Sequence, residues 1–153
     1  MEDQNDVRDH LLELLEGRFA HIDVKTALQD FPVGAINTRV ANSPHTAWQL
    51  LEHIRIAQSD IVEFSRGPDH VSPDFPDGYW PADDGSPETW KLSAEQVLTD
   101  LQAMRDLVAD QNNDLFKRFP WGDGQTLFRE AVLVADHNSY HLGQMMLLKK
   151  MLI

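Results

Sequence analysis

The chain has 153 residues, of which 25 are acidic and 13 basic, giving a formal net charge of −12, and it has no cysteine. This length suits one domain with its own core. Without cysteine there are no disulfides or thiolate metal sites, so any metal must be held by His, Asp or Glu.

The acidic surface repels phosphate backbones and argues against nucleic acid as a partner. No apolar run approaches the roughly 20 residues that cross a bilayer, which argues against membrane insertion. The polar, acidic start MEDQNDVRDH is unlike a secretion signal, and the expected location is the cytoplasm.

Four segments carry helical periodicity and none carries strand alternation, so the expected class is all-α. The first runs from about Asp6 to Asp30, with Val7, Leu11, Leu15, Phe19, Ile22 and Leu28 on one stripe, and stops before Phe31-Pro32. The second opens at Ser43-Pro44, read as an N-cap followed by a proline in the first turn, and ends at Gly67-Pro68. The third is expected from Ser93, with Gln96 completing a capping box ahead of Val97, Leu101, Met104 and Val108. The fourth follows Thr126 and continues to the end, with Lys149 and Lys150 in the last turns, where the helix dipole favours cations.

Residues 32–43 and 112–125 read as modest loops. Residues 68–91 are a longer connection with five prolines. Phe75, Tyr79, Trp80 and Trp90 within it argue for an ordered loop that packs on the helices. A loop that crosses the length of the bundle leaves helices two and three parallel.

The chemistry concentrates in the fourth helix. On a wheel of about 100° per residue with His137 at zero, His141 lies near +40°, Glu130 and Leu148 near +20°, Gln144 near −20° and Val134 near +60°. Lys149, Lys150, Asn138 and Ser139 fall at about 100° or more, so the two histidines are expected on the inward stripe. Imidazoles at i and i+4 can aim at one point and suit zinc, nickel or iron(II). The spacing is that of the H-E-x-x-H protease motif, but Asn138 stands where the glutamate base belongs, which excludes that chemistry.

A third ligand must come from another helix, and His53 is the best placed. His45, in a first turn, is expected to cap or pack; His10, His21 and His70 are weaker ligand candidates. Gln144 is expected to support the ligands from behind. Glu130, two turns before His137 and about 10 Å away along the axis, is expected to pair with an arginine or orient a group near the site. Asp60, two turns after His53, is balanced between such a role and a solvated rim. The paired Glu-x-x-His motifs of di-iron bundles are missing, which favours one metal ion.

The segment Pro44-His45-Thr46-Ala47-Trp48-Gln49-Leu50-Leu51-Glu52-His53-Ile54-Arg55 resembles the DinB/YfiT-like family of helical metalloenzymes. So do Tyr79-Trp80-Pro81, Gln125-Thr126-Leu127-Phe128-Arg129-Glu130-Ala131, and Asp136-His137-Asn138-Ser139-Tyr140-His141-Leu142-Gly143-Gln144. The resemblance covers nearly the whole chain. It implies a four-helix bundle of up-down-down-up topology, a metal held by His53, His137 and His141, and a homodimer. Members of the family include transferases and isomerases that use low-molecular-weight thiols such as bacillithiol or mycothiol.

Three neutral imidazoles leave coordination positions open, as in catalytic sites. A divalent ion there could deprotonate a coordinated thiol. Since the chain has no thiol of its own, a small external thiol is the expected cosubstrate. It would attack an electrophile held under the 68–91 loop, with Arg39 or Arg129 as candidate cations for an anionic thiol. The alternatives are metal-assisted hydrolysis, which lacks an evident base, and a non-enzymatic, metal-stabilised bundle acting as a partner or sensor module.

Overall fold

The computed structural model describes residues 2–17 and 19–153, with side chains described from Gln4 onward. They form five α-helices: α1 (Glu2–Glu16), α2 (Val24–Leu28), α3 (Ala47–Arg66), α4 (Pro87–Ala109) and α5 (Leu127–Leu152), with single 3-10 turns at 33–35 and 77–79. The described residues contain no strand, only an isolated bridge between Arg118 and Thr126. None of the described helices is long and apolar enough to cross a membrane.

The starts of α2, α3, α4 and α5 follow hydrogen-bonding side chains, and the first three of these differ from expectation. The first periodic segment is two helices. Gly17 takes a left-handed φ of +76° at the end of α1, and Asp23 opens α2 by accepting from Thr26 N at 2.8 Å. Its apolar stripe survives the break, with Leu11, Leu15, Val24, Ala27 and Leu28 all buried. That continuity makes the two helices read as one.

The cap of α3 is Thr46, in a box with Gln49, and not Ser43. Ser43 Oγ instead donates to His45 O at 2.7 Å within the preceding turn. α4 starts at Pro87, with Ser86 and Thr89 forming the box, ahead of the expected start at Ser93. Ser93 lies inside the helix, buried, and donates to Glu52. α5 starts as expected, Thr126 Oγ1 accepting from Arg129 N at 3.2 Å.

The core is one cluster around α3, with Leu50, Leu51, Ile54 and Val62 from that helix meeting Val97, Met104, Val134 and Met145. Buried polar links tie the helices. Gln58 Nε2 donates to Val97 O at 2.6 Å, and Asn138 Nδ2 donates to Gln58 Oε1 at 2.7 Å. Buried Arg8 donates to the carbonyls of Val108, Asp110 and Asn113, placing a guanidinium at the negative end of α4.

Gln58→Leu is therefore expected to destabilise by about 3 kcal/mol, because it strips partners from two buried groups. Asn138 Oδ1 already has no partner. Replacing Asn138 by leucine as well should recover part of the loss in urea unfolding, since the orphaned amide then disappears.

The 67–86 connection is pinned along its length. Trp48 Nε1 donates to Asp83 O at 2.8 Å, and the Asn37 amide bonds Gly85 at both its backbone N and O. A Cβ on Gly85 would lie 2.3 Å from the Trp48 ring, so only glycine fits there. Asp60 holds the remaining anchors: Tyr79 OH donates to its Oδ2 and His70 Nε2 meets its Oδ1, both at 2.6 Å.

A candidate three-histidine metal centre

Two helices and one loop build the site. The buried residues of α5, on the wheel that sets His137 at zero, run from Glu130 and Leu148 at about +20° to Ala135 at about +160°. The buried arc is thus rotated from expectation. Asn138, expected outside it, is buried against Gln58, because α5 packs on α1 and α4 as well as on α3. His141 lies within the arc and His137 at its edge, where core gives way to open surface.

His53 on α3 meets this edge. Its Nε2 lies 3.0 Å from His137 Nε2, and its ring is edge-on to His141 with centroids 4.7 Å apart. One ligand nitrogen from each of the three residues falls within 4.8 Å of the others. Among the described residues, no carboxylate joins this group.

The outward nitrogens decide which tautomers are present. His53 Nδ1 lies 2.9 Å from Tyr79 O, a group that only accepts, so Nδ1 carries the proton and Nε2 presents a lone pair. His141 Nδ1 faces Gln144 Oε1 at 2.7 Å, which leaves its Nε2 free in the same way. In a tetrahedral site with nitrogens roughly 2.0–2.1 Å from zinc, neighbouring ligand atoms are roughly 3.3 Å apart. The 3.0 Å pair is of that scale, and the donor set fits a divalent first-row ion.

Burial, with His141 and His53 alongside, pushes the His137 pKa down to about 4. Burial also lowers the His141 pKa, against the opposing hydrogen bond that its ring donates to Gln144. Both rings are therefore neutral at pH 7, as ligation requires. Trp80 lies flat between His53 and His45, its ring centroid 4.0 Å from each, and covers one face of the cluster.

The depressed His137 has a pH consequence for the metal-free protein. A histidine near 6.5 in the unfolded chain and about 4 in the folded one takes up its proton first on unfolding as pH falls. Its contribution to stability is complete above pH 6.5 and is lost between 6.5 and 4. The urea midpoint of chelator-treated protein should drop across that window, and less steeply in His137→Asn.

The other sequence candidates are placed as follows. Gln144 Oε1 lies 2.7 Å from His141 Nδ1. Glu130 is buried and pairs with Arg129 Nη1 at 2.6 Å, outside the histidine group. His45 packs on Trp80, His70 pairs with Asp60, and His10 and His21 are exposed on or beside α1. Sequence reasoning missed the Trp80 plate and the Tyr79 carbonyl. The loop's aromatic content signals packing, but a backbone carbonyl has no signature of its own.

The family model described as the DinB superfamily matches residues 17–145, most of the chain. This protein belongs to the DinB superfamily. No curated protein and no solved structure matches it. In this DinB chain the histidines come from α3 and α5, and the loop between α3 and α4 closes over them.

Proposed function

We propose that this DinB protein is a cytoplasmic metal-dependent enzyme acting on a small molecule, with one zinc, nickel or iron(II) ion held by His53, His137 and His141. The observation that carries the reading is the convergence of three imidazoles, with the outward nitrogens of His53 and His141 engaged by Tyr79 O and Gln144. A bound ion supplies an open coordination position and acidifies a thiol placed there. The chain's own groups do the rest. Tyr79 O and the Gln144 amide hold the ring protons away from the centre, and Trp80 keeps water off one face.

Transfer to or isomerisation with a low-molecular-weight thiol is the reaction the DinB resemblance favours, and a chain without cysteine needs an external thiol for it. Arg129 is paired with Glu130, whereas Arg39 meets only the neutral carbonyls of Ser43 and Pro44 and keeps its charge. Hydrolysis ranks lower, as no carboxylate among the described residues joins the cluster to act as base.

The topology in this reading is a four-helix bundle of α1, α3, α4 and α5, running up-down-down-up. Its support is the order of contacts: Glu52 and Gln58 meet Ser93 and Val97 in rising order, while Leu50 and Phe64 lie beside Leu148 and Trp121 in falling order. A homodimer is the assembly the resemblance implies.

Elemental analysis of the purified protein tests the reading. One divalent ion per chain is the expected result, followed by a thermal shift with at least one member of a small-thiol panel. A metal-free protein that gains no stability from zinc, nickel or iron(II) would sink the enzyme assignment. A loaded protein that ignores every thiol would remove thiol transfer.

A further inference from the structure

Beside the histidine cluster lies a second feature that the metal site does not explain. Between the 40–45 loop and the C-terminal half of α5 is a cleft of about 350 Å³. This lies at the small end of the range for organic ligand sites. Leu50 and Leu148 form its buried floor, Val40 and Pro44 one wall, and Leu147 and Met151 the opposite rim, 61% and 54% exposed.

A quarter of the chain is charged, yet among the described residues no Asp, Glu, Lys or Arg lines this cleft. Lys149, on the same helix, turns away to Gln29 O at 2.8 Å. The polar side chains in its lining include His45 and Gln144. These two reach the metal site: His45 stacks on the Trp80 that covers His53, and Gln144 bonds His141.

The loop wall is also held in a shape that the chain does not adopt freely. Ala41 sits at φ +43°, a left-handed conformation unfavourable for a residue with a Cβ. Ser43 N donating to Val40 O at 2.8 Å and Arg39 bridging to the Ser43 and Pro44 carbonyls keep it there.

We propose that this cleft is the subsite for the uncharged, apolar body of the substrate, with the reacting head group at the three-histidine centre. The proposal rests on the metal-site reading for the head group alone. It specifies a substrate with a linear alkyl or small aryl tail, because the cleft's lining is mostly apolar.

The test uses straight-chain alkyl hydroxamates, from acetohydroxamate to octanohydroxamate, titrated into metal-loaded protein. Each added methylene that enters the cleft should tighten binding about fourfold until the cleft is full. Leu147→Glu places a charge on the exposed rim, where it does not disturb the core. It should abolish the chain-length gain and leave acetohydroxamate affinity within about twofold. A flat series in the parent, or the same slope in L147E, overturns the proposal.

If the protein holds no metal, acetohydroxamate does not bind and the metal reading fails by itself. The cleft is then tested with 1-hexanol and 1-octanol on the methyl resonances of Leu147, Leu148 and Val40. Larger shifts with the longer alcohol support it, and no shift overturns it. Sedimentation of parent and L147E completes the test. A dimer that dissociates on this substitution would assign the cleft to a second copy of the chain and overturn the subsite.

Discussion

His137→Ala should come off purification without stoichiometric metal, while the metal-free form stays about as stable as the parent. The loss follows from the ligand count. Two nitrogens cannot hold a first-row ion against cellular competitors, and removing one of three ligands should weaken affinity by about a thousandfold or more. The unchanged stability follows from burial. His137 is half-buried at the edge of the core arc, and without an ion its ring bears a desolvation burden that pushes its pKa down to about 4. Truncation there should change urea stability by no more than about 1 kcal/mol in chelator. In the parent, adding metal at a thousand times its Kd should contribute about 4 kcal/mol, and in the variant almost nothing. A variant that keeps its ion, or one that unfolds with chelator present, would show that His137 supports the core instead of a ligand site.

The second large effect is expected at a residue that touches no ligand nitrogen. Asp60→Ala removes the acceptor for Tyr79 OH and the partner of His70 at once. Burial and the adjacent Asp60 raise the Tyr79 hydroxyl to about 12, so it is always protonated and always a donor. Through this clamp the Tyr79 carbonyl is held 2.9 Å from His53 Nδ1, which fixes the ring's tautomer and tilt. Metal affinity in Asp60→Ala should fall by about 10- to 100-fold in competition with a chelating dye. Urea stability of the metal-free protein should move little, because the clamp lies on the loop side of α3. Asp60→Asn retains an acceptor for Tyr79 and should recover most of the affinity. Equal affinity in all three proteins would reduce the clamp to a loop anchor with no bearing on the centre.

Local signals in the sequence carried most of the helix content, and failures arose where two local signals competed. The start expected at Ser93 with Gln96 lies inside the helix, where Ser93 holds Glu52; the helix starts at Pro87, capped by Ser86 with Thr89. Gly17 breaks a stripe whose apolar spacing continues through α2, so periodicity alone could not see the break. Asn138 is polar by composition but buried by its bond to Gln58, a contact 80 residues away in sequence. The histidine pair was legible because i and i+4 spacing is a local property of one helix. His53 was legible as the best-placed third candidate, and the DinB resemblance reinforced it. The Trp80 plate, the Asp60 clamp and the apolar cleft depend on how the long loop and the 40–45 turn fold back, and no spacing rule encodes that.

In the proposed site, three imidazoles from α3 and α5 hold one ion. Anomalous diffraction from crystals of the metal-loaded protein, collected at the absorption edge of the ion, tests it most directly. The expected result is one peak per chain, roughly 2.0–2.1 Å from a nitrogen of each of His53, His137 and His141. No peak between these rings, or a peak ligated elsewhere, would contradict the account.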